Sequence, residues 1–307
     1  MRLAIIYTIL ALIYTLTIVT AAVFLLCQKI LTKRTSKIFK MKTTILTLAV
    51  CILAVFTGEL HAKTNSKMKT IVLVHGAWLD ASSWDKVIPA LKAAGHEVIN
   101  VNLPGHGKDN TPIGAIDLQS YVDAVKKAIG NRRNVILIGH SMGGIVISEV
   151  AEQMPSQIKK LVYVAAFLPG NGESLLQLAT KPENKESLLT VYLRPDKEKG
   201  TGSLAKEGIR ESFVADAPEA IAEKVIAEHK PDPLAPFATP ANLTDANFGQ
   251  INKTYVYTLN DKAVTYPLQE SMTQSANVSR TYALPSSHTP FYSMPQILSA
   301  IFVKESE

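Results

Sequence analysis

From Lys69 onward, short apolar runs alternate with amphipathic ones, and that alternation limits the possible folds more than any other feature of the chain. The runs "TIVLVHG" (70–76), "HEVINVNLPG" (96–105), "NVILIG" (134–139) and "KKLVYVAAFLPG" (159–170) read as strands. Between them, "SWDKVIPALKAAG" (83–95), "LQSYVDAVKKAIG" (118–130) and "GGIVISEVAEQM" (143–154) carry apolar residues at helical spacing. In the first of these, Trp84, Val87, Ile88 and Leu91 share one face and Gly95 is the stop. Apolar strands separated by single helices imply an α/β fold: a mostly parallel central sheet with helices on both faces.

The pattern breaks over residues 171–250. "DAPEAIAEKVIAEHK" (216–230) is helical, prolines stand at 231, 233, 236 and 240, and no strand signal matches the earlier ones. This stretch reads as an inserted helical lid over the strand ends; a connecting stretch of surface helices is the plainer alternative. Alternation resumes with "KTYVYTLND" (253–261), "SRTYALPSSH" (279–288) and a closing helix, "MPQILSAIFVKE" (294–305).

One junction carries chemistry. Gly139-His140-Ser141-Met142-Gly143 fits G-x-S-x-G between a strand and a helix, where glycines permit a turn too sharp for side chains and the hydroxyl stands at the strand's carboxyl end. The helix that follows turns its free N–H groups toward the same point. A serine hydroxyl needs a base, and in this arrangement the partners follow in the order Ser, acid, His. His288, in the loop after the last strand, is the candidate base. His75 and His140 flank glycines and read as orienting neighbours, His96 begins a strand, His229 ends a lid helix, and His106, in "LPGHGKD", is a candidate for the pocket rim but precedes the serine. Asp261 ends the preceding strand and is the candidate acid, with a cap for the next segment as its alternative role. Asp245 comes before that strand, and Asp216 and Asp232 belong to the insertion. The backbone N–H groups of Met142 and Ala77 are the candidate oxyanion donors. Trp78 lines the substrate pocket or is plain core.

With these residues in place, the chain resembles the α/β-hydrolase superfamily, and more narrowly the branch of methylesterases, hydroxynitrile lyases and their bacterial relatives. The likeness rests on "VLVHGAWLDASSWDKVIPALKAAGHEV" (72–98), "VILIGHSMGGIVISEVAEQMPSQIKKLVYVAAFLP" (135–169), "YTLNDKAVTYPLQ" (257–269) and "SSHTPFYSMPQIL" (286–298). It implies a catalytic triad of Ser141, Asp261 and His288 with no metal and no cofactor. The lyases are associated with a threonine beside the early turn and a lysine after the catalytic histidine; here Gly76 follows His75 and Thr289 follows His288. The resemblance therefore implies a serine esterase acting on a small-molecule carboxylic ester. Alternatives are a lyase or carbon–carbon hydrolase using the same triad, a perhydrolase, and a ligand-binding receptor with vestigial turnover.

The first sixty-odd residues are of another kind. Leu3 to Cys27 carries no charge, long enough for a bilayer helix. "MKTTILTLAVCILAVFTGELHAK" then has the layout of a secretory signal peptide beginning at Met41, with cleavage at Ala62. Residues 1–62 are thus expected to be a targeting segment and 63–307 the catalytic domain, secreted or periplasmic. The alternative keeps the apolar runs as a membrane anchor with the domain outside the cytoplasm. Residues 1–67 hold nine of the 32 Lys and Arg and one of the 26 acids, leaving 23 basic against 25 acidic residues, a net of −2. The basic balance belongs to the leader and supports no nucleic-acid partner. Both cysteines, Cys27 and Cys51, lie there too, so the domain has no thiol chemistry and no disulfide.

Overall fold

The structure, a computed structural model, describes Ala21 and residues 68–307. The readings of the leader, with the start at Met41, cleavage at Ala62 and the domain boundary there, fall outside those residues. Among the described residues, no helix is long and apolar enough to cross a membrane.

Six strands form one wholly parallel sheet: β1 (Thr70–Val74), β2 (Glu97–Val101), β3 (Val135–His140), β4 (Ile158–Val164), β8 (Asn252–Thr258) and β9 (Arg280–Leu284), in the order β2-β1-β3-β4-β8-β9. Alternation along each strand feeds two cores. Val72, Leu137, Leu161 and Tyr255 face one side, against α2 (Leu118–Ile129) and α3 (Gly143–Gln153). Ile71, Ile136, Val162 and Val256 face the other, with Leu91 of α1 (Ile88–Ala93) and Phe302 of the closing helix. The register between β1 and β3 sets Val74 opposite Gly139. Because β1 connects outward to β2 while β3 connects the opposite way to β4, the loops after β1 and β3 flank a crevice at the switch in strand order, where open α/β sheets place their ligands.

Two expectations need correction. The segment 83–95 is not one helix: a 3₁₀ turn at Ala81–Trp84 precedes a short α1, because Pro89 suits only a first helical turn. The insertion is not wholly helical. Beside α4 (Leu175–Ala179), α5 (Lys206–Ser212) and α6 (Glu219–Ala227), it holds an antiparallel sheet of β5 (Leu193–Asp196), β6 (Thr201–Leu204) and β7 (Asp232–Pro233). These strands are four, four and two residues long, too short to show a period of two.

At the amino end of the sheet, the last helix, α8 (Pro295–Ser306, after α7 at Tyr266–Ser275), is pinned by a fully buried carboxylate. Glu305 accepts from Thr254 (2.7 Å) and Lys160 (3.0 Å) on one oxygen and from Arg280 and Tyr282 (both 2.6 Å) on the other. Burial alone would raise its pKa, but the Tyr282, Thr254 and Lys160 hydrogen bonds and the Lys160 charge bring it down to about 2. A depressed carboxylate stabilises the fold above its unfolded-state pKa of 4.5 and loses that contribution as pH falls toward 2. A shift of this size corresponds to on the order of 3 kcal/mol. Glu305→Gln is therefore expected to lower unfolding free energy by up to about that amount at neutral pH, the gap narrowing in acid below the ordinary carboxylate pKa. Urea titrations at several pH values check this; a gap independent of pH contradicts it.

Candidate active site

Ser141 sits between β3 and α3 with φ at 52°, left-handed backbone that L-residues avoid at a cost of roughly 1–2 kcal/mol. Its surroundings hold it there. The Ser141 N–H donates to Val164 O (3.3 Å), and its carbonyl accepts from Gly144 and Phe167 N–H (3.0 Å each). The glycines around it answer to packing: a Cβ on Gly139 would lie 2.6 Å from the Gly143 carbonyl, and one on Gly143 would lie 2.8 Å from the carbonyls of Val74 and His75. The strand, the turn and the helix approach so closely that neither position 139 nor position 143 has room for a side chain.

His288 and Asp261 meet although 27 residues separate them: His288 Nδ1 donates to Asp261 Oδ2 at 2.8 Å, with both side chains sealed from solvent. Asp261 Oδ2 also accepts from Thr258 Oγ1 (2.8 Å), and Oδ1 from the N–H groups of Ala263 and Val264 (2.8 and 2.9 Å). Asp261 thus holds the histidine and also caps the turn that follows. A carboxylate so fully bonded is acceptor only, which leaves the proton on Nδ1 and the lone pair on Nε2. Nε2 is buried without a partner among the described residues. The His288 ring lies 4.6 Å from the His140 ring, and His140 directly precedes Ser141. Ser141 makes no hydrogen bond to the ring in this structure.

The histidines beside the glycines hold backbone. His140 Nε2 donates to the His288 carbonyl at 2.9 Å, tying the serine turn to the histidine loop. His75 Nδ1 donates to Gly76 O at 2.8 Å, while its Nε2 accepts from Leu103 N–H at 3.1 Å. Burial, first of all, keeps both rings well below the usual histidine pKa and so neutral. In a trans peptide the carbonyl and N–H of one plane point opposite ways. Holding Gly76 O therefore aims the Ala77 N–H the other way. A Cβ at Gly76 would fall 2.7 Å from Ser141 Cβ, so this peptide runs directly past the serine. Ala77 and Met142 are buried, and their N–H groups have no acceptor among the described residues. Unpaired buried N–H groups are rare and costly in proteins.

Sequence reasoning set aside two aspartates of the insertion, and both touch residues next in the chain to site residues. Asp216 accepts from the Ser287 N–H (2.8 Å) and the Ser287 hydroxyl, one residue before His288. Asp232 accepts from the Trp78 N–H (2.8 Å), one residue after Ala77. The Phe213 ring stands 4.9 Å from that of His288. Trp78 packs on Phe213 and Phe237, as a core residue would, and also borders a cavity of about 380 Å³ with Ser83, His106, Lys224, Asp232 and Tyr292, whose lining includes none of Ser141, Asp261 and His288. An isolated aspartate in a loop-rich stretch carries no pattern that reveals such contacts.

The profile of the alpha/beta hydrolase family matches residues 71–301. The chain is 31% identical over 246 residues, 76% of its length, to a putative chloroplastic methylesterase (methylesterase 11) of Arabidopsis thaliana; the match spans 63% of that relative, less than two thirds. It is 31% identical over 241 residues to a pyrethroid hydrolase of Sphingobium wenxiniae, covering 75% of this chain and 84% of the relative. The crystal structure of a pyrethroid hydrolase from Sphingobium faniae JZ-2 superposes with a TM-score of 0.70 at 26% identity, covering 78% of this chain and 98% of that one.

The strain at residue 141 has a measurable consequence. Ser141→Gly removes the Cβ that makes the left-handed conformation costly, and this gain outweighs the extra chain entropy of glycine. The variant is expected to unfold at higher temperature than the parent, by about 1 kcal/mol of added stability. A lower melting temperature in calorimetry contradicts strain at this position.

Proposed function

The chain belongs to the alpha/beta hydrolase family, and from that premise we propose that it is a serine hydrolase cleaving carboxylic esters of small to moderate size. The observation that carries this reading is His288: fully buried, bound by Asp261 on Nδ1, without a partner on Nε2 among the described residues, and with its ring 4.6 Å from that of His140, the residue before a serine in strained backbone. Ser141 attacks the ester carbonyl while His288 Nε2 takes its proton. Asp261 fixes the tautomer and stabilises the imidazolium. The oxyanion accepts from the Ala77 and Met142 N–H groups, donors of a kind worth roughly 3–4 kcal/mol each in the transition state. His288 then gives its proton to the leaving alcohol, and water activated by the same ring hydrolyses the acyl-serine. Names such as methylesterase and pyrethroid hydrolase among the relatives support hydrolysis over binding alone. Against a lyase stands Thr289: it is fully buried and its hydroxyl donates to the Phe213 carbonyl, where the lyase branch is associated with a lysine.

Ser141→Ala is expected to lower p-nitrophenyl acetate hydrolysis by at least about a thousandfold and to abolish labelling by a fluorophosphonate. Wild-type turnover in this variant contradicts the mechanism, and a stoichiometric burst without steady-state turnover in the parent favours a receptor.

We also propose export of the domain from the cytoplasm. Mass spectrometry of the protein from its native host is expected to find an N-terminus near Lys63; a chain that retains Met1 contradicts cleavage.

A further inference from the structure

Asp232 belongs to the insertion, yet every hydrogen bond of its side chain runs to the loops around the sheet. It is buried, its Oδ2 accepts from the Trp78 N–H at 2.8 Å, and His106 Nε2 lies 3.2 Å from Oδ2 and 3.1 Å from Oδ1. The other ring nitrogen, Nδ1, faces the Pro104 carbonyl at 3.0 Å. A carbonyl and a carboxylate both accept, so the two contacts together suit the doubly protonated, cationic form of the ring. Burial opposes that charge, but the attraction and hydrogen bond of Asp232 outweigh it and raise the pKa. The result is a buried ion pair between the insertion and the loop after β2, formed where an unpaired charge would be costly.

A third group joins this pair, the Trp78 amide. Trp78 is itself in left-handed backbone, φ 58°, and its indole N–H donates to Gly202 O of β6 at 2.8 Å. Insertion residues thus hold Trp78 by both its amide and its ring. The Trp78 N–H shares a peptide plane with the Ala77 carbonyl, so fixing that plane fixes one of the two soft dihedrals of Ala77. His75 fixes the plane on the other side through Gly76 O, and its ring rests edge-on against His106 at 4.7 Å. Both peptide planes flanking the Ala77 α-carbon are therefore clamped, one from the loop after β1 and one from the insertion.

We propose that Asp232, paired with His106, is a positioning residue that aims the Ala77 N–H at the oxyanion, so that the insertion completes the catalytic site as well as covering it. The inference rests on the reading of Ala77 as an oxyanion donor. It separates Asp232 from a mere latch, because a latch would affect opening and stability while leaving the preference for the transition state unchanged.

The test uses the full chain, p-nitrophenyl acetate as substrate and a trifluoromethyl ketone, whose hemiketal oxyanion needs the same donors. Asp232→Ala is expected to lower kcat about 10- to 100-fold with KM within about twofold, and to weaken ketone affinity by the same factor as kcat/KM. Asp232→Asn keeps an oxygen for the Trp78 N–H and is expected to recover most of the loss. A double variant, Asp232→Leu with His106→Leu, replaces both charged partners by apolar groups of similar size, which preserves folding, and it is expected to show the same defect as Asp232→Ala. A folded double variant with the parent's kcat and ketone affinity overturns the proposal, whatever becomes of the alanine variant. A parent protein that neither hydrolyses the ester, binds the ketone nor reacts at Ser141 with a fluorophosphonate overturns instead the hydrolase reading, and this inference with it.

Discussion

Parallel pairing of six strands is the constraint from which the site follows. When every strand runs the same way, every loop that leaves a strand at its carboxyl end opens on the same edge of the sheet. His75, Ser141, Asp261 and His288 each follow such a strand, and they converge although more than two hundred residues separate the first from the last. The apolar alternation that buries both faces of the sheet also forbids a slip of one residue, which would send each strand's core side chains to the wrong face. Packing of Val72 and Ile136 against opposite cores thus fixes where the serine stands.

At that edge, buried polar groups with one satisfied end and one free end accumulate. Among the described residues, His288 is held on Nδ1 and free on Nε2, and the N–H groups of the buried Ala77 and Met142 have no acceptors. Such groups destabilise the fold, and they persist because neighbours determine their positions: Asp261 for the imidazole, His75 for the Gly76–Ala77 peptide, the first turn of α3 for Met142. His140 links the serine turn to the histidine loop through one hydrogen bond, which couples the positions of the two groups that exchange a proton in the proposed mechanism.

The central sheet and the residues at its carboxyl edge were legible in the sequence, because long apolar strands and a glycine-flanked serine leave periodic or local signals. Met142 and Ala77 could be named from their places beside the serine and in the loop after β1. The insertion was far less legible. Its strands are too short to show alternation, and β5 and β7 each contain a proline, which sequence reading counts against a strand. The contacts of Asp216 and Asp232 reach across 71 and 154 residues, and only the folded chain reveals which backbone amides they meet. The place of His106 ahead of the serine argues against a base and leaves it on the pocket rim, and nothing local pairs it with Asp232.

The central claim is geometric: one hydroxyl, one ring nitrogen and two backbone amides surround one reacting carbon. The most direct measurement is a crystal structure of the protein after reaction with a fluorophosphonate. Phosphorus bonded to Ser141 Oγ is expected, with its phosphoryl oxygen about 3 Å from the N–H groups of Ala77 and Met142 and His288 Nε2 within hydrogen-bond reach of Oγ. Phosphorus on another residue, or a phosphoryl oxygen turned away from both amides, contradicts the account.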